Sequence, residues 1–194
     1  FGIASAFSFF PTKNLGSYGE GGAVLTNDKN LYNRLVSIRS HGSIKQYEHD
    51  FIGHNYRMTG FQGSILSVKL KYLDRWNNIR IKNANLYNDY LISVDQIKTP
   101  KISINTKHVF HQYSIISDRR DDLQKMFIKK KIGFGVFYPL PIHKQPMYKS
   151  SNKQKLPITE EICSKIISIP MFPSMKKDET TFVIKSINKF FKSK

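Results

Sequence analysis

Lys13 follows the run Ser8, Phe9, Phe10, Pro11, Thr12 and precedes Asn14, Leu15 and the glycine-rich stretch 16–22. A lysine placed just behind a buried strand and a proline is held at a fixed point beside apolar neighbours. Partial desolvation at such a point lowers an ammonium's pKa and frees the neutral amine to act as a nucleophile or Schiff-base partner. The same spacing fits a solvated loop lysine, and glycines nearby do not choose between the two. Arg57, within GHNYRM (53–58), offers a second chemistry. Its guanidinium matches phosphate and carboxylate geometry, whether on a substrate anion or on a structural carboxylate. His111, inside the apolar run 109–117, reads as a core or interface histidine, and Cys163, beside Ile162 and Ile166, as a small core residue.

Several elements have to position these side chains. Residues 1–10 (FGIASAFSFF) read as a strand buried on both faces, broken at Pro11. Residues 23–26 form a short strand, and Asn27 and Asp28 offer an N-cap for a helix carrying Leu31, Leu35 and Ile38, with Gly42 as its stop. Beyond GHNYRM comes a long helical region with Leu66, Leu70 and Leu73 on one stripe, continuing through Leu86, Tyr87 and Tyr90 to about Val94. Thr99 and Pro100 mark a boundary. Thereafter the pattern predicts a strand over 109–117, a helix over 121–131, a strand over 133–138, the proline-bearing loop 139–146, a helix from Thr159, an apolar segment 167–173 and a closing helix with Val183, Ile187 and Phe190 inward. The expected domains are therefore 1–98 and 99–194, the second an α+β unit.

Composition sets outer limits. With 40% hydrophobic and 23% charged residues, the chain lies in the range of a folded globular protein. The one cysteine excludes an intrachain disulfide and a multi-cysteine zinc cluster, so no metal is predicted, and a reducing, cytoplasmic setting fits. The net charge of +17 would suggest nucleic acid, but the lysines are scattered and form no basic tail. Such a charge instead suits attraction of a phosphorylated small substrate. The apolar stretch 1–11 is too short to span a bilayer. Because the chain opens in a strand needing neighbours on both sides, a piece of a longer protein is the expectation.

The segment SFFPTKNLGSYGEGG (8–22) closely resembles the cofactor-lysine motif of the DegT/DnrJ/EryC1/StrS family of sugar aminotransferases. GHNYRMTGFQGSIL (53–66), LKYLDRWNNIRIKNANLYNDYL (70–91), VFHQYSI (109–115), GFGVFYPLPIHKQPMY (133–148) and ISIPMFP (167–173) resemble further stretches of that family, in order, over essentially the whole chain. The resemblance implies an α/β protein of the type I fold of pyridoxal-phosphate-dependent transferases, truncated to the end of the large domain plus the small C-terminal domain.

The same resemblance implies site roles. Lys13 would carry pyridoxal 5'-phosphate and act as the acid and base of the reaction. Ser8 would donate to the cofactor phosphate, and Asn55 would do so from the partner subunit of a homodimer with shared active sites. Arg57, Tyr138 and His143 would face the substrate. The implied reaction moves an amino group from an amino acid, glutamate by analogy, to a nucleotide-diphosphate keto sugar, in bacterial surface-polysaccharide or antigen biosynthesis. The wording of 138–146 and 167–173 leans toward makers of 3-amino sugars from UDP-linked 3-keto hexuronates, although Phe137 stands where that subgroup often has histidine. Further cofactor contacts would come from a region before residue 1, among them an acidic partner for the pyridine nitrogen, so the chain alone is expected to be inactive. The rival expectations are a sugar dehydratase, which the lysine at position 13 opposes, and a non-catalytic remnant or regulator.

Overall fold

The computed structural model describes residues 2–148 and 154–192. It divides into two compact units, Phe1–Asp74 and Arg75–Lys194.

The first unit contains β1 (Ser5–Ser8), β2 (Gly22–Leu25), α1 (Lys29–Ile38), β3 (Ser43–Lys45), β4 (Glu48–His49) and α2 (Gly60–Leu70). β1 and β2 pair antiparallel, with Ser5 opposite Leu25 and Ser8 opposite Gly22. The expected ten-residue strand buried on both faces is thus a four-residue strand, and all four of its residues are exposed. A two-stranded ribbon has no second layer to cover its faces, which is why Phe7, Val24 and Leu25 remain open to solvent. α1 starts as the sequence predicts, with Asp28 Oδ1 accepting the Leu31 N–H at 2.9 Å. It ends at Arg39, and Gly42 follows with φ of 73°, where a Cβ would lie 1.8 Å from the Phe51 carbonyl oxygen. α2 opens with a reciprocal cap: the Gln62 N–H reaches Thr59 Oγ1 at 3.4 Å, and the Thr59 N–H reaches Gln62 Oε1 at 3.1 Å.

The second unit contains most of α3 (Leu73–Leu91), then β5 (Tyr113–Ile116), α4 (Arg120–Lys129), α5 (Pro157–Lys165), β6 (Ile166–Ile169) and α6 (Lys177–Lys192). β5 and β6 pair antiparallel, Tyr113 opposite Ile169 and Ile115 opposite Ile167, and these inward side chains meet Leu123 and Phe127 of α4 and Ile187 of α6 in one core. Ala84, Tyr87 and Leu91 of α3 lie in that same core, and the two compact units meet at 74/75. Residues 133–138 do not form the predicted strand. Gly135 makes one bridge to Ser168, and the Phe137 ring folds over Gly135, 2.3 Å from where a Cβ would stand.

α3 also buries a polar stripe, Asn77, Arg80 and Asn83. Arg80 is 6% exposed and its Nη1 donates to the carbonyl oxygens of Phe110 (3.2 Å), His111 (3.2 Å) and Met171 (2.8 Å). Desolvation lowers its pKa, but a guanidinium remains protonated. This buried cation therefore ties α3 to the segments flanking the β5–β6 pair.

Candidate active site

Ser8 and Gly22 face each other at the end of the ribbon, so residues 9–21 form a closed excursion between paired strands. The excursion is pinned at its base. The Phe9 N–H donates to Gly21 O at 2.8 Å, and the Ser17 N–H and Oγ donate to Phe9 O at 2.8 and 2.9 Å. Ser17 Oγ also contacts Gly19 O.

Within it, Phe10 brackets the two residues of interest: its N–H donates to Ser8 Oγ at 3.3 Å and its carbonyl accepts the Lys13 N–H at 2.9 Å. Gly16 allows the chain to close on itself, because a Cβ there would lie 2.3 Å from Pro11 O and 2.9 Å from Phe10 O. Both are backbone atoms that cannot swing aside. Gly16→Ala is therefore expected to force the turn open, at a cost of about 1–3 kcal/mol. Urea denaturation and the rate at which Lys13 reacts with an added aldehyde would both register the change.

Two side chains of α2 hold the excursion from outside. Gln62 Nε2 donates to Glu20 O at 2.7 Å, and Lys69 Nζ donates to Gly16 O. They stand seven residues apart, two helical turns, and so on one face. Sequence reasoning did not select either. Gln62 was visible only as half of a capping box, and a lysine on a helix carries no sign that it reaches back 53 residues.

Lys13 is half-buried, and among the described residues its Nζ has neither a hydrogen bond nor an ion pair. Ser8 is exposed and its Oγ accepts from Phe10, which leaves the hydroxyl hydrogen to donate elsewhere.

Asn55 and Arg57 are also brought together. Asn55 lies on a stretch bonded to the end of α1, with His54 N–H to Ile38 O at 2.8 Å and Tyr56 N–H to Arg39 O at 3.0 Å. Arg57 Nε donates to Asn55 Oδ1 at 2.9 Å, so the Asn55 amide nitrogen faces outward as the free donor.

Tyr138 and His143 belong to the second unit. Tyr138 is 70% exposed. The His143 side chain is 7% exposed and its Nε2 lies 3.1 Å from Glu160 Oε1. Glu160 Oε2 contacts Lys144 Nζ, and Glu160 Oε1 accepts the Leu156 N–H at 3.2 Å. Lys144 chiefly, then His143 and that N–H, hold the Glu160 carboxyl down at about 2. His111 lines a recess of about 290 Å³ with Phe137 and Ser168, and Cys163 is a half-buried free thiol. Among the described residues no group of three His, Cys, Asp or Glu could hold a metal. No described helix is long and apolar enough to cross a membrane.

Ser8 and Lys13 both bond to the Phe10 backbone, and between them offer an amine that could join an aldehyde and a hydroxyl that could donate to its phosphate. The residues present fit pyridoxal phosphate.

Comparison with known proteins agrees. A pleiotropic regulatory protein of Geobacillus stearothermophilus is 42% identical over 98% of this chain and 52% of its own length. A UDP-N-acetyl-3-dehydro-alpha-D-glucosamine 3-aminotransferase of Acidithiobacillus ferrooxidans is 35% identical over 92% of the chain and 48% of its own. Among solved structures, DesV of S. venezuelae, in complex with a ketimine intermediate, superposes with a TM-score of 0.95 at 32% identity, covering all of this chain and 53% of that one. The chain spans about half the length of these relatives. The fold is accordingly part of the type I fold of pyridoxal-phosphate-dependent transferases. The profile of one family matches residues 1–188, and the chain belongs to it: the DegT/DnrJ/EryC1/StrS aminotransferase family.

Proposed function

We propose that the protein carrying this chain is an aminotransferase that uses pyridoxal phosphate to move an amino group from an amino acid, glutamate, to a nucleotide-linked keto sugar. The observation that carries this reading is the Lys13 turn, with its half-buried and unpartnered amine beside a free hydroxyl donor. Bound there, pyridoxal phosphate supplies the electron sink that lets a Cα–H bond of the amino donor break. Lys13 would hold the cofactor through Nζ, and the same amine would serve as the base that takes the proton from the amino donor and the acid that returns one to the product. The Ser8 hydroxyl donates to the phosphate. Arg57 holds the Asn55 carbonyl, and the Asn55 amide N–H groups donate to the same phosphate in the partner subunit of a homodimer. Tyr138 lies against the sugar.

The setting we propose is the cytoplasm, in a pathway for surface polysaccharide or antigen, with no nucleic-acid or membrane partner. The charge of +17 favours the approach of a diphosphate.

A second reading, a regulator that binds the cofactor without turnover, is favoured by the name of the Geobacillus relative. One experiment separates the two. With pyridoxal phosphate bound, glutamate should bleach the visible band, and UDP-N-acetyl-3-dehydro-glucosamine should restore it with formation of the amino sugar. A stable band that glutamate leaves unchanged would favour the regulator.

A further inference from the structure

We infer that Glu160 is the positioning residue of the loop that carries Tyr138, and that it thereby sets the affinity for the sugar substrate. The inference rests on the aminotransferase reading for the identity of that substrate.

The loop after Tyr138 presents apolar side chains to solvent: Ile142 is 75% exposed and Met147 is 76% exposed. A loop of that character marks a contact surface. Its backbone bonds are local, from Lys144 N–H to Pro141 O (2.9 Å), Gln145 N–H to Ile142 O (3.0 Å) and Tyr148 N–H to Gln145 O (2.9 Å). They shape two 3-10 turns, Ile142–Lys144 and Pro146–Tyr148, without attaching them to the core.

Among the described residues, Glu160 joins the loop to α5. Glu160 takes His143 on one oxygen and Lys144 on the other, and its Oε1 also accepts the N–H of Leu156, which begins α5 without a side-chain cap of its own. Standing in the first turn of α5, the carboxylate is further favoured by the helix dipole. A charged, doubly engaged anchor of this kind fixes a loop more tightly than one neutral bond does. What it fixes is the place of Tyr138, five residues ahead of His143: the Tyr138 ring meets Phe137 edge-on and is 70% exposed, open to pack on a sugar.

The test uses the full-length protein loaded with pyridoxal phosphate, glutamate as donor and UDP-N-acetyl-3-dehydro-glucosamine as acceptor. Glu160→Ala is expected to raise KM for the acceptor about tenfold, with kcat within about twofold, the pattern of lost substrate positioning. Glu160→Gln keeps one acceptor oxygen but loses the charge and the second acceptor, and should raise KM only about two- to threefold. It also serves if the alanine variant folds poorly. The glutamate half-reaction should keep its rate in both, since it uses Lys13 and not the loop. Amide exchange at Lys144, Gln145 and Tyr148 should accelerate while that of β5 does not. Unchanged exchange would overturn the anchor. Faster exchange with unchanged KM would overturn its role toward substrate, and equal damage to the glutamate step would mark a general structural effect. If the unsubstituted protein is not bleached by glutamate, the aminotransferase reading falls and takes the substrate role with it, and exchange alone then judges the anchor.

Discussion

Lys13→Ala is expected to abolish the visible absorption of the pyridoxal-phosphate-loaded protein and all amino transfer to the keto sugar. The band belongs to the cofactor joined to a lysine amine, and an alanine has nothing with which to make that bond. The fold should survive. The Lys13 side chain makes no hydrogen bond or ion pair among the described residues, and its backbone N–H still reaches Phe10 O at 2.9 Å after the change. Lys13→Arg should fail as completely, because a guanidinium stays protonated and does not attack an aldehyde. Ser8→Ala should be milder, weakening cofactor retention by about 1–3 kcal/mol through loss of one hydrogen bond to a charged group. Absorbance titration with pyridoxal phosphate and a glutamate-dependent assay read both outcomes. Persistence of the band together with turnover in Lys13→Ala would remove the basis for the proposed function.

Arg80→Leu is expected to destabilise the second unit by about 1–3 kcal/mol, the usual cost of leaving buried acceptors unsatisfied. Leucine restores apolar volume but removes the Nη1 donor from the carbonyls of Phe110, His111 and Met171. Arg80→Lys should recover part of the loss, since an ammonium has three donors but lacks the planar reach. Trp76, the only tryptophan, sits one helical turn before Arg80 in α3 and provides a fluorescence signal for urea denaturation. A change in midpoint too small to measure would mean that water replaces the guanidinium without cost.

Much of this was legible in the residues. The Asp28 cap, the α+β character of the second half and its inward positions Val183 and Ile187 follow from local spacing and reappear in the structure, whereas the lysine motif was legible only through its resemblance to a family. What escaped depends on contacts distant in sequence. The strand expected over 1–10 shrank because apolar content signals a strand but does not supply the second layer that would bury it. The strand expected over 133–138 was lost to the Phe137 ring folded over Gly135. The His143–Glu160 contact spans seventeen residues, and the three carbonyls around Arg80 lie 30 to 91 residues away, so local spacing signals neither. Gln62 and Lys69 were missed for the same reason.

The first unit has a thermodynamic consequence for any ligand. Among the described residues its only buried large apolar side chain is Leu66, and its ribbon has two strands. Within residues 1–74 taken alone, such a ribbon is marginal in water and opens locally at little cost. The turn that presents Lys13 is anchored to both strands, at Ser8 and at Gly22. A molecule that grips Lys13 and Ser8 together therefore closes the ribbon as it binds, so that occupancy and local folding become one equilibrium. Saturation at a hundred times Kd would add about 2.7 kcal/mol to the stability of that segment. Ligand affinity would fall by the fraction of time the ribbon spends open.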